Sequence, residues 1–143
     1  MNDIDLETAR AIIAAAHSAG SAAGLKPLAV VVLDRTGNPR AFERADGASN
    51  LRYDVAHGKA YGALGLGMGS RALQARAEQQ PHFIASVTAA IGGALIAVPG
   101  GVLVRNADGV LIGAVGVSGD TSDNDELAAL SGIEAVGLVA DPG

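Results

Sequence analysis

Two β-branched runs near the C-terminal end, Gly101–Val–Leu–Val–Arg105 and Val110–Leu–Ile–Gly–Ala–Val–Gly–Val117, are joined by Asn106–Ala–Asp–Gly109. This stretch constrains the fold more than any other. Asn, Asp and Gly tolerate the left-handed conformations that a tight turn requires, so the segment reads as an antiparallel hairpin. Leu95–Ile–Ala–Val98, set off by Pro99–Gly100, is expected to add a strand before it. A second hairpin is predicted upstream: Leu28–Ala–Val–Val–Val–Leu33, the turn Asp34–Arg–Thr–Gly–Asn38, then Pro39–Arg–Ala–Phe–Glu–Arg44.

Helical spacing fills the intervals. Leu6, Ala9, Ile12, Ile13 and Ala16 share one face behind an Asp5 cap, and Gly20 and Gly24 are expected to end that helix. Asn50 is expected to cap a second helix, with Val55, Ala56, Lys59, Ala60 and Ala63 to one side. Gly58 and Gly62 each cost such a helix up to ~1 kcal/mol relative to Ala, which implies close approach of another backbone. The run Gly65–Leu–Gly–Met–Gly69 breaks it, and Ser70 caps a third helix that stops before Pro81. Ser122 and Asp125 have the spacing of a capping box for a last helix carrying Leu127, Leu130 and Ile133. The order α-β-β-α-α-β-β-β-α describes an α/β (α+β) fold, a five-stranded, largely antiparallel sheet flanked by helices, in one domain over residues 1–143.

Composition narrows the function. Apolar residues make up 49% of the chain and aromatics only 3%, with 20 glycines, so the core must be built from small aliphatic side chains and close backbones. Homo-oligomerisation is an expected way for such a chain to bury more surface. A net charge of −5 without any run of Lys or Arg argues against nucleic acid as a partner. The absence of Cys removes disulfides, thiolate metal sites and thiol nucleophiles. The acidic start Met1–Asn–Asp–Ile–Asp5 argues against a leader, and no apolar run approaches the ~18 residues of a membrane span, so a cytoplasmic location is expected.

Several blocks then carry a family resemblance: Val32–Leu–Asp34 with Gly37, Phe42–Glu–Arg–Ala–Asp–Gly47, Ala56–His–Gly–Lys–Ala60, Gly100–Gly–Val–Leu–Val104 and Asn106 through Gly119. With Asp125 at the start of the last helix, the chain resembles the GlcG/HbpS family, which also forms the C-terminal domain of PduO-type proteins. Leu103 stands where the family commonly has Pro. The resemblance implies a profilin-like fold, a homo-oligomer, and a small-molecule ligand such as haem or a corrinoid. Other members sit beside catabolic enzymes, as in a catabolic operon.

The candidate binding residues are Arg44 and Asp46 in the loop after the second strand, Lys59 on the following helix, and Gly116, Ser118, Gly119 and Asp120 before the last helix. Arg44 can hold a carboxylate or pair with Asp46, and Lys59 can anchor an anion or keep a depressed pKa. Gly116–Asp120 can offer backbone N–H groups to an anion or can simply cap the helix. No metal-ligand motif is present; His17 and His57 are the candidates for an axial haem ligand. Gly116–Val–Ser–Gly–Asp120 is not a nucleophile elbow, and Gly65–Leu–Gly–Met–Gly69 lacks the dinucleotide register.

Three readings follow. The first is a binding protein for a haem- or corrinoid-like tetrapyrrole or a smaller anionic metabolite. The second is a cofactor-independent isomerase, lyase or hydrolase acting on a small carboxylated catabolic intermediate, with Arg44 holding the carboxylate and Lys59, His57 or Asp46 moving a proton. The third is a structural oligomer without ligand.

Overall fold

The computed structural model describes all 143 residues. Helix α1 (Leu6–Ala22) leads to strands β1 (Ala29–Asp34) and β2 (Pro39–Arg44), then helices α2 (Arg52–Leu66), α3 (Ser70–Gln79) and α4 (Pro81–Ala90). Strands β3 (Gly101–Arg105) and β4 (Leu111–Ser118), helix α5 (Ser122–Ala135) and the short β5 (Val139–Asp141) complete the chain. Five strands form one sheet in the order β2-β1-β4-β3-β5, every pair antiparallel. The mixed α/β class and the five-stranded antiparallel sheet are as the sequence predicts.

Strand β1 lies inside the sheet and alternates between two apolar layers, as a period of two requires. Val30 and Val32 point to one face with Val102, Val115 and Val117, where Ile12 and Ile13 of α1 and Ile133 of α5 cover them. Val31 and Leu33 point to the other with Leu103 and Ala114, covered by Ala56, Ala60 and Ala63 of α2. Leu103, where the resemblance led one to look for Pro, is fully buried in this second layer.

Several local expectations are corrected. The run Leu95–Val98 is not a strand, and the fifth strand is β5 instead, paired with β3. Its apolar side chains dock on α2: a Cβ at Gly58 would lie 2.6 Å from Ile96, and one at Gly62 2.9 Å from Leu95. The helix glycines are therefore notches for this segment. Pro81 begins a helix rather than only ending one; it occupies the first turn of α4, where a missing N–H is harmless.

Asp5 caps α1 by accepting from Thr8 N, but the other predicted caps are displaced. Residue Leu51 precedes α2 without a side-chain cap. Ser70 lies inside α3, and its buried hydroxyl accepts from Gly101 N at 2.7 Å, fastening the start of β3 to that helix. Thr121, not Ser122, caps α5 by accepting from Asn124 N.

Candidate functional site

Helix α2 lies so close to the sheet that a side chain at Gly116 would strike the Ala56 carbonyl, and one at Gly101 the Lys59 carbonyl. This contact carries Lys59 into the interior, where it is 2% exposed. Its Nζ donates to the Val117 carbonyl at 3.0 Å and to Asp125 Oδ2 at 3.0 Å, and Asp125 Oδ1 accepts from Asp120 N at 2.9 Å. Burial pulls the Lys59 amine below its usual range, opposed by Asp125 and reinforced by nearby Arg52. Burial likewise pushes the Asp125 carboxyl up, against the pull of Lys59. Each charge persists because the other is there. Asp125 is thus a partner of Lys59 and not the helix cap expected from its position.

By register, Arg44, Ala29 and Ser118 lie in one row across β2, β1 and β4. Ser118 is fully buried, and its hydroxyl accepts from Arg52 Nη1 at 3.1 Å. Arg52 opens a cleft of about 220 Å³ whose walls include Lys26, Pro27, Gly47 and Gly119. Arg44 donates to the Ala48 carbonyl, so it holds the loop at the cleft rim and makes no ion pair with Asp46. Gly116 serves packing, as described, and Gly119 at φ +152° lies against the Pro27 carbonyl.

Asp120 binds inward to its own chain. Its carboxylate accepts from Lys26 N, Thr121 N and Asn124 Nδ2, each at 2.8 Å. The Lys26 N–H, with the other two bonds, lowers its pKa to about 2. The N–H groups of Asp120, Thr121 and Asn124 at the start of α5 are all taken by side chains of the same loop.

Across Lys26 and Pro27 lies a second groove of about 250 Å³, bordered by His17, Leu28 and Asp46. The two openings share Lys26 and Pro27 in their walls. His17 Nε2 is the one buried side-chain polar atom in the chain that has no hydrogen-bond partner. An imidazole nitrogen left in this state costs on the order of 1–3 kcal/mol.

His57 lies elsewhere. Its ring stacks between Tyr53 (centroids 5.6 Å apart) and Tyr61 (5.2 Å), and Phe42 meets Tyr53 edge-on at 4.7 Å. Burial lowers its pKa, opposed by Asp54. No hydrogen bond or ion pair joins Arg44, Asp46, His57 and Lys59, the four side chains an acid–base reading would combine; Lys59 is committed to Asp125 and His57 to the tyrosine stack.

The residues that sequence reasoning passed over are Lys26 and Arg52. Lys26 lies in a loop that carries no pattern. Arg52 did leave a signal: a cation in the first turn of a helix opposes the helix dipole, and such a placement calls for a compensating role.

A family model described as haem degrading protein HbpS-like matches residues 4–134. Among solved structures, a double mutant of HbpS from Streptomyces reticuli is 30% identical with a TM-score of 0.80, covering 95% of this chain and 88% of that one. The ORFY protein of Klebsiella pneumoniae is 27% identical with a TM-score of 0.85, covering 96% and 92%. PduOC, solved as a haem complex, is 22% identical with a TM-score of 0.85 over 96% and 97%, a likeness of fold. No curated protein matches the chain.

Proposed function

Because this chain belongs to the HbpS-like family, we propose that it binds haem in the paired grooves on either side of Lys26 and Pro27, with His17 as the nitrogen donor to iron. The observation that carries this reading is the unpartnered buried Nε2 of His17 at the side of a groove. A turn of the ring that brings Nε2 out of its buried position to the groove would let iron satisfy a group that nothing in the chain satisfies. The family's description and the haem complex of PduOC support the same ligand.

The donor set suits the group. Haem offers a metal that takes a neutral imidazole and two carboxylates that take cations. Here His17 borders one groove, Arg52 the other, and Lys26 both. When bound, haem would supply a redox-active iron; His17 would supply a nitrogen donor, and Lys26 and Arg52 the positive charge toward the carboxylates.

Each opening is smaller than the ~300 Å³ at which ligand pockets usually begin. A second copy of the chain closing over the exposed ring is part of the proposal. A corrinoid makes similar demands of a nitrogen donor, so the test includes both tetrapyrroles.

The test is a titration with haemin and, separately, cobalamin, following the visible bands. The expected result is a saturable shift of the haemin Soret band, weakened on the order of 10–100-fold in His17→Ala and unchanged in His57→Ala. A spectrum that stays that of free haemin, or one that depends on His57 and ignores His17, removes the assignment. A response to cobalamin alone would replace haem by a corrinoid.

A further inference from the structure

We propose that a second, separate ligand site lies between the β1–β2 turn, the C-terminal half of α2 and helix α4, and that it takes a small amphipathic anion: a compact apolar body bearing one carboxylate. The cleft has a volume of about 260 Å³, and Arg35, Gly37, Tyr61, Gly65, Val87 and Ile91 are among the residues around it. It shares no residue with the grooves beside His17 and Arg52.

Gly65 supplies the first argument. It is a helical residue with an ordinary negative φ, and a Cβ built on it meets nothing within 4 Å. Gly58 and Gly62, on the same helix, are glycines because Ile96 and Leu95 occupy the space a side chain would need. No such neighbour explains Gly65, which lies in the last turn of α2, where Ala would still favour the helix by up to ~1 kcal/mol. Gly65 is exposed and lines the cleft, so its missing side chain leaves that wall open. A larger residue there would project into free space that a ligand can fill.

The charge at the rim supplies the second. Arg35 is exposed, and its guanidinium joins none of the four ion pairs of the chain. The carboxylates beside its backbone bind main-chain N–H groups: Asp3 Oδ1 accepts from Ile4 N and Arg35 N, and Asp34 Oδ1 from Thr36 N and Asn38 N. An arginine free at the mouth of a mostly apolar cleft is suited to a carboxylate, which it can hold with two parallel hydrogen bonds. The walls then select an apolar body, with the phenol of Tyr61 beside it.

Octanoate and the neutral 1-octanol are the probes, titrated into the whole chain and followed by backbone amide shifts. Octanoate is expected to shift the amides of Gly37, Gly65 and Ile91 saturably. Arg35→Gln should weaken octanoate by about tenfold, the effect of one lost charge-assisted contact, and leave octanol within twofold. Gly65→Leu should abolish binding of both, hold or raise the melting temperature, and leave haemin titration unchanged. Absence of saturable shifts, shifts that cluster instead around His17 and Arg52, or equal weakening of both probes by Arg35→Gln would each overturn the proposal. So would a Gly65→Leu protein that fails to fold or binds as before, because its side chain would then not be entering an open cleft.

Discussion

The sheet is packed differently on its two faces. Beneath α1 and α5, branched side chains interlock: Val30, Val32, Val102, Val115 and Val117 from the strands meet Ile12, Ile13 and Ile133 from the helices. Beneath α2, the strands offer Gly101, Ala114 and Gly116, the helix offers Ala56, Ala60 and Ala63, and backbones touch. The first face can absorb a lost methylene by small shifts of many neighbours. The second cannot yield, because carbonyls stand where side chains would go. The rigid face also holds buried polarity, in Ser118 beneath Arg52, and its Lys59 reaches Asp125 of α5, so a buried charge pair joins the two layers. Fixed backbones are what keep those groups aligned.

The sharpest way to break this contrast is Lys59→Met, which leaves the Asp125 carboxylate buried without its partner. A loss of about 3–5 kcal/mol at neutral pH is expected in urea unfolding. Asp125 already has a raised pKa from burial, and removing Lys59 removes an opposing cause. A carboxyl with a raised folded pKa contributes stability at low pH that is lost as pH rises through that value. The deficit of Lys59→Met should therefore shrink as the pH is lowered toward the usual carboxylate range. Replacing both partners by Met and Leu should recover most of the loss, and a double-mutant cycle measures the coupling. If the single variant is as stable as the parent at pH 7, the pair does not hold α2 and α5 together.

Next in size is Gly116→Ala, which sets a methyl against the Ala56 carbonyl. Overpacking of about 1–3 kcal/mol is expected, since neither backbone has room to withdraw. On the opposite face Ile12→Val should cost about 0.5–1.5 kcal/mol. Equal sensitivity of the two faces, compared by urea midpoints, would erase the distinction.

The sequence showed the strand-rich face well and the polar device poorly. Strands β1 and β4 were legible because alternation and turn residues are local signals, and the small residues of α2 announced a close contact. Strand β5 has only three residues, too few to carry a period, and the Leu95–Val98 run has the composition of a strand although its place is in the notches of α2. Asp125 has the sequence position of a cap; its bond to Lys59 spans 66 residues, which no local pattern records. The same holds for Ser70, joined to Gly101 across 31 residues. His17 was visible from its spacing to Ile13, but that its nitrogen lacks a partner is a fact of packing. Arg52 was readable in principle, as a cation set against a helix dipole.

The smallest expected effect lies at the rim where the two layers meet. Asp120 ties the Lys26 loop to the start of α5 through three hydrogen bonds, which hold its pKa at about 2 against an ordinary value of 3.8. A folded pKa below the unfolded one means that the stabilisation is complete above 3.8 and disappears as pH falls through about 2. Asp120→Asn keeps an acceptor oxygen but loses the charge, so it should be slightly less stable than the parent near neutrality and indistinguishable from it at the acid end. Urea midpoints followed across that range would show the two curves converging. Curves that stay parallel would mean that the clasp acts through its geometry alone, and that the pH response of the molecule belongs to the buried pair between α2 and α5.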